Sequence, residues 1–214
     1  ANIGEVYVAT EDKEIIDDVN KNGGQAVLTS NNHENGTTRC LEAYQMWSNK
    51  LSPQTKYILN IQGDEPMIDP DVIDKVAALI DKSEISTAAS PIKLTENWKN
   101  PNTVKVVIDS FNKALYFSRH PIPYLRDAGD STINEELTAF PFLKHIGIYG
   151  YQKDALLKLV NYPVSSLEKA EKLEQLRALE NGMSIIVAVV NHDSIGIDTP
   201  EDLNNLKEQL KTES

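Results

Sequence analysis

Lys56-Tyr57-Ile58-Leu59-Asn60-Ile61-Gln62, running straight into Gly63-Asp64-Glu65-Pro66, decides how this chain is built. The first seven residues are rich in β-formers, almost continuously apolar, and too short for a globular helix. Glycine and proline close the run, so it reads as an apolar strand ending in a turn. Upstream, residues 5–10 (EVYVAT) read as a short buried strand. Thr10 is placed to cap a helix whose first turn holds Glu11 and Asp12, where the helix dipole favours acids. That helix carries Ile15, Ile16 and Val19 at helical spacing and stops at Asn22-Gly23-Gly24. Residues 26–30 (AVLTS) form the next strand, and 37–48 a helix with Cys40, Leu41, Tyr44 and Trp47 along one side. Residues 72–80 supply the helix after the quoted strand. Strand and helix therefore alternate, and the strands are apolar on both faces. That is the pattern of a parallel sheet covered by helices.

Further out the pattern changes. Residues 85–91, 104–109, 114–119 and 145–151 are strand-like, with a turn at Asp109-Ser110-Phe111-Asn112. Residues 121–141 hold prolines, Gly129 and several acids, and read as a long excursion. The chain then returns to a helix (166–181), a strand (184–190) and a helix (200–211). The predicted fold class is α/β: a mostly parallel sheet flanked by helices, with an inserted mixed-sheet sub-lobe, all within one domain.

The formal net charge of −11 excludes a broad basic surface for nucleic acid. No run reaches the ~18 apolar residues of a membrane span, and the sequence opens on no signal-peptide pattern. Cys40 is the single cysteine, so no intrachain disulfide exists and a reducing cytoplasm is the expected compartment. A protein this acidic that handles anions must concentrate its few cations at the site, or use a metal.

Asp64 lies beyond the carboxyl end of a strand, where open parallel sheets bind ligands. Asp198 precedes a helix start in which Thr199 is the cap, Pro200 the first helical residue and Asp202 the capping-box partner. Either acid alone is equally well a turn residue. Together, two carboxylates from distant strand ends suit one Mg²⁺, which keeps waters and takes substrate phosphates at its remaining positions. Leu173, Leu176 and Leu179 form the packed side of a helix on which Glu174 and Gln175 would ordinarily be solvated. His145 sits on a strand, and Arg119 at the end of Ala114-Leu115-Tyr116-Phe117-Ser118-Arg119 is a fair binder of a carboxylate.

Taken in order, Gly36-Thr37-Thr38-Arg39, Gln62-Gly63-Asp64-Glu65-Pro66, Asn102-Thr103-Val104-Lys105-Val106-Val107 and Tyr116-Phe117-Ser118-Arg119 resemble the 3-deoxy-manno-octulosonate cytidylyltransferase (CMP-Kdo synthetase) family. So do Pro121-Ile122-Pro123-Tyr124, Lys144-His145-Ile146-Gly147-Ile148-Tyr149, Leu173-Glu174-Gln175-Leu176-Arg177 and Asp198-Thr199-Pro200-Glu201-Asp202-Leu203. The Asp-Glu-Pro turn is common to many nucleotidyltransferases; the later segments in this order are specific to the Kdo enzymes. The resemblance implies a Rossmann-like nucleotidyltransferase fold and the reaction CTP + Kdo → CMP-Kdo + pyrophosphate, feeding lipopolysaccharide assembly. It implies Asp64 and Asp198 as magnesium ligands. Arg119, His145, Tyr149, Glu174 and Gln175 would surround the sugar acid, with Arg119 on its carboxylate. Gln62 and Arg39 would lie on the nucleotide side. A cytoplasmic homodimer joined through the sub-lobe, at about residues 112–165, is also implied.

Two departures stand out. Thr38 occupies a position where the family carries an acid. The family also opens with a central strand and a loop of the form Ala-Arg-x-x-Ser-x-Arg-x-Pro-Gly-Lys that cradles the triphosphate. The resemblance starts at Ala1 on the approach to the second strand, so the expectation is that this loop belongs to the native protein ahead of the sequence given. Sialic-acid activation is the neighbouring alternative, against which Leu173-Glu174-Gln175 beside Tyr116-Phe117-Ser118-Arg119 argues. A binding module without turnover is the other, favoured only by the lack of that loop.

Overall fold

Period-two alternation along one ten-residue strand organises the molecule. In the computed structural model, residues 4–33, 35–48, 55–126, 137, 140–192, 196, 197 and 199–212 are described. The elements are β1 (Val8–Thr10), α1 (Lys13–Lys21), β2 (Ala26–Leu28), α2 (Gly36–Trp47), β3 (Tyr57–Ile61) and α3 (Pro70–Leu79), with a 3₁₀ turn at Ile80–Lys82. They continue with β4 (Ile85–Pro91), α4 (Thr95–Lys99), β5 (Lys105–Ile108), β6 (Ala114–Ser118) and β7 (Leu143–Gln152). Helices α5 (Lys153–Asn161), α6 (Ser166–Glu171) and α7 (Gln175–Glu180), strand β8 (Ile185–Val189) and α8 (Pro200–Thr212) complete the chain.

The larger sheet runs β6-β5-β7-β4-β8, with β3 also on β7. Strands β3, β4 and β8 point the same way, since β4 and β8 pair parallel while β3 and β4 each pair antiparallel with β7. Strand β7 thus threads against the parallel set and brings in the β5–β6 hairpin at its start. Strands β6 and β7, inside the predicted sub-lobe, are therefore continuous with the main sheet. Most of the excursion at 121–141 lies outside the described residues.

Along β7, Ile146 and Ile148 face Val72 and Val76 of α3, together with Ala88 and Ala188. Tyr149 and Tyr151 face the other way, toward Leu41 of α2, Leu156 and Leu159 of α5 and Leu176 of α7. Two cores on opposite faces follow directly from that alternation. Strand β4 is buried from Ile85 through Ser90, as a strand covered on both faces must be.

The predicted buried strand at 5–10 is a three-residue β1 with Val6 and Val8 exposed. Strands β1 and β2 form their own two-stranded parallel sheet, so among the described strands β2 is the sole partner of β1. The cap of α1 is Asp12, whose carboxylate accepts from Glu14 N at 2.8 Å; Thr10 Oγ1 instead accepts from Asp12 N at 3.1 Å. The predicted helix at 166–181 is broken in two, because Lys172 adopts a left-handed conformation with φ of 53°.

Candidate active site

Alternate positions of β7 from His145 to Tyr151 line a cleft of ≈1010 Å³. His145, Gly147, Tyr149 and Tyr151 share that face because β side chains alternate. At Gly147 a Cβ would stand 2.5 Å from Gln62 Oε1, so the missing side chain makes room for Gln62 to cross the strand in this position.

His145 is held in one tautomer. Thr87 Oγ1 spends its only proton on Ile148 O at 2.7 Å, so it accepts from His145 Nε2 at 2.8 Å. Nε2 therefore carries the hydrogen and Nδ1 remains a lone-pair acceptor. The ring meets Phe117 edge-on at 5.3 Å and lies 5.2 Å from Tyr149. Burial lowers its pKa to about 4, so it is a neutral imidazole at physiological pH. Burial also holds the Tyr149 and Tyr151 hydroxyls well above the ordinary tyrosine range, and both stay protonated.

The break in the predicted helix delivers Glu174 and Gln175 to the cleft. Left-handed backbone at a lysine is unfavourable, and it frees the last carbonyls of α6. Arg119 recaptures them: Nε donates to Glu171 O at 2.7 Å and Nη2 to Lys172 O at 3.3 Å, while Nη1 donates to Pro101 O at 3.0 Å. A guanidinium at a helix C-terminus is also favoured by the dipole. The Glu171 carboxylate goes to Ser118 Oγ and Arg119 N, at 2.7 and 3.0 Å. Arg119 thus keeps two N–H groups and its charge for an anion in the cleft.

Glu174 itself has Oε1 buried with no hydrogen-bond partner among the described residues. Burial raises its pKa to about 7, against the lowering pull of Thr37 and Arg177. The Arg177 guanidinium is committed below it to a buried two-pronged pair with Glu168, 2.7 Å from Nε to Oε2. Nearby Cys40 has its thiol pushed up to about 12, first by burial and then by Glu174, which makes it inert.

At the other end, Asp64 follows β3 on an exposed turn. Its carboxylate meets no hydrogen-bond or ion-pair partner among the described residues. Its carbonyl accepts from Ile197 N at 2.8 Å, tying the turn after β3 to the segment after β8. The predicted helix start there is present: Thr199 Oγ1 donates to Asp202 Oδ2 at 2.7 Å and accepts from Asp202 N at 3.2 Å. Asp198 lies outside the described residues, although Gly196 and Thr199 on either side line the cleft.

Of the residues singled out from sequence, Gln62, Asp64, Arg119, His145, Tyr149, Glu174 and Gln175 share this one cleft. Arg39 does not. Its Nη1 donates to Thr29 Oγ1 at 2.8 Å and pairs with Glu11, so it braces α2 against the ends of β1 and β2. Thr38 is likewise local: its hydroxyl bonds Asn35 Oδ1 at 3.0 Å and His33 Nδ1 at 3.0 Å.

Sequence reasoning gave no role to several residues that also reach the cleft. Asn35, Gly36 and Thr37 bring the N-terminus of α2 to it, an arrangement favourable to anions. Lys144 lies near Arg119 because Lys144 pairs with Lys105, and Lys105 with Ser118, across three strands, and Lys172 because Arg119 holds its backbone carbonyl; both line the cleft. The cleft is therefore polarised, cationic at the Arg119 end and acidic around Asp64, Glu65 and Asp202. The alternation His-x-Gly-x-Tyr-x-Tyr at 145–151 was the available sequence signal for the shared face.

Residues 1–185 match the cytidylyltransferase family. A 3-deoxy-manno-octulosonate cytidylyltransferase of Cytophaga hutchinsonii is 45% identical over 202 residues, covering 94% of this chain and 78% of its own. The enzyme of the same name from Geobacter sulfurreducens is 42% identical over 214 residues, 98% of this chain and 83% of its own. Among solved structures, CMP:2-keto-3-deoxy-manno-octonic acid synthetase complexed with CTP superposes with a TM-score of 0.86 at 36% identity, over 100% of this chain and 83% of that one.

Proposed function

Because the chain belongs to the 3-deoxy-manno-octulosonate cytidylyltransferase family, we propose that it transfers the cytidylyl group of CTP to Kdo, giving CMP-Kdo and pyrophosphate. The observation that carries this reading is the polarised cleft. Its cationic end suits the carboxylate of an acid sugar, and its acidic end suits a cation-bound triphosphate.

In the reaction, the anomeric oxygen of Kdo bonds to the α-phosphorus of CTP. The bond from that phosphorus to the bridging oxygen of the β-phosphate breaks, pyrophosphate leaves, and the hydroxyl proton is released to water. Arg119, its guanidinium fixed by three backbone carbonyls, receives the sugar carboxylate without having to be ordered at the moment of binding. His145 Nδ1, neutral and unprotonated, accepts from a sugar hydroxyl, and Gln175 and Tyr149 offer further polar contacts on the same wall. Gln62 serves the nucleotide side, while Arg39 supports that region from behind.

The residues present fit a magnesium ion. The Asp64 carboxylate is an oxygen donor with no described partner, at a strand end joined to the segment that carries Asp198. Asp64 and Asp198 would hold the ion, with phosphate oxygens and water filling its other positions. Bound there, it would neutralise charge developing on the triphosphate. The same reading carries a cytoplasmic enzyme that works as a homodimer through the lobe at about 112–165 and feeds lipopolysaccharide assembly. No described helix is long and apolar enough to cross a membrane.

The test is pyrophosphate release from CTP plus Kdo, with and without Mg²⁺, by the parent and by Asp64→Asn. Magnesium-dependent turnover in the parent, reduced at least ~100-fold in the folded variant, is expected. A folded parent that fails on Kdo but turns over another acid sugar would overturn the substrate assignment.

A further inference from the structure

Lys105 opens β5 and is fully buried, yet its ammonium forms no ion pair with any described carboxylate. It donates instead to two carbonyls of the loop before it, Asn100 O at 2.9 Å and Thr103 O at 2.6 Å. Arg119 takes the carbonyl between them, Pro101 O, at 3.0 Å. Two cations therefore grip one short loop by three backbone oxygens. Asn100, Asn102 and Thr103 of that loop line the cleft.

A buried charge is costly, and neutral donors would fix the same carbonyls more cheaply. The cost makes sense if the charge itself is used. The charged groups facing Lys105 are Glu171 at the end of α6 and Arg119 at the end of β6, with Lys144 opposite on β7. Glu171 is already engaged by Ser118 and the Arg119 backbone, so Lys105 and Arg119 outnumber the described carboxylates that act on Lys105. In a chain of net charge −11, such a local surplus marks where an anion is received.

We infer that Lys105 is a positioning residue for the acid-sugar end of the cleft: it pins residues 100–103 against Arg119 and adds the second positive charge felt by the sugar carboxylate. This inference rests on the cytidylyltransferase reading above. It also accounts for Asn102-Thr103-Val104-Lys105, to which neither metal binding nor nucleotide binding assigns a task.

Steady-state kinetics of the full-length protein, with Kdo and CTP varied separately, test it. Burial, reinforced by Arg119, lowers the Lys105 pKa to about 8, so its charge is lost as pH rises through that value. In the parent, KM for Kdo should climb above pH 8 while KM for CTP does not follow. Lys105→Met should raise KM for Kdo about tenfold at pH 7, the size of one charge acting through protein, and abolish the alkaline climb. Its KM for CTP should stay within about twofold. A KM for Kdo that is flat from about pH 7 to 9.5 in the parent overturns the inference, whether or not the variant folds. So does a folded Lys105→Met whose KM for Kdo is unmoved, or whose two KM values rise together. A parent that turns over no Kdo at all overturns the functional reading, and this inference with it.

Discussion

Glu174→Gln is the most informative single substitution, because its effect on stability can be worked out with its sign and its effect on turnover runs the other way. The unfolded carboxyl ionises near 4.5, whereas burial holds the proton in the folded protein up to about 7. Between those values the folded state binds more protons than the unfolded one. Stability is therefore lost as pH rises from 4.5 to 7, and stays lost above. The shift sets a ceiling of about 3 kcal/mol. Relaxation of the half-buried group and entry of water bring the expected cost to about 1–2 kcal/mol. Glutamine keeps the volume and cannot ionise. The variant should melt about 3–6 °C above the parent at pH 8, given ~2–4 °C per kcal/mol for a domain of this size. At pH 4.5 the two should differ only by the small intrinsic exchange of amide for acid, so the pH-dependent part of the difference is the signal. Calorimetric melting of both proteins at several pH values reads it directly. Turnover of the variant with CTP and Kdo should fall at least ~10-fold, since a charged acceptor facing the sugar is gone. A melting difference that is the same at every pH, or a parent that is the more stable at pH 8, would refute the reasoning.

The neutral, Nε2-protonated state of His145 predicts imidazole NMR shifts that are flat between about pH 5.5 and 8, with Nδ1 showing the shift of an unprotonated nitrogen. Its pKa is depressed from 6.5 to about 4, so the folded state loses stability as pH falls through that window; a ring titrating near 6.5 would contradict the Thr87 arrangement. Two glycines of β7 should separate structure from function. A Cβ at Gly150 meets Ser86 Oγ at 2.4 Å and Ile80 Cγ1 at 2.6 Å in a packed core, so Gly150→Ala should destabilise by about 1–3 kcal/mol in urea denaturation with KM values unchanged. At Gly147 the clash is with the movable end of Gln62, so Gly147→Ala should leave stability within about 0.5 kcal/mol and raise KM for CTP instead.

The sequence by itself determined the local elements. The run at 56–62 is β3 and residues 85–91 are β4, because short apolar runs bounded by turn residues have little else to be, although β3 is only half-buried, with Tyr57 and Ile61 exposed at its ends. The resemblance to the Kdo enzymes picked out Gln62, Asp64, Arg119, His145, Tyr149, Glu174 and Gln175, which the fold brings to one cleft, and the Thr199 cap is made by the residues that its spacing indicated. Tertiary structure alone decided the rest. Arg39 sits in a promising motif but is drawn to Glu11 and Thr29 by folding of β1 and β2. Residues 166–181 have the pattern of one helix, and nothing local breaks it. The break at Lys172 is sustained by Arg119, whose guanidinium satisfies carbonyls 52 and 53 residues along the chain. The meeting of Lys105 and Arg119 over one loop arises from the pairing of β5 with β6, which spacing along the chain does not reveal. Periodicity reports what each residue owes to its near neighbours. A buried charge, a recaptured carbonyl and a fixed tautomer depend on partners that only the folded chain brings together.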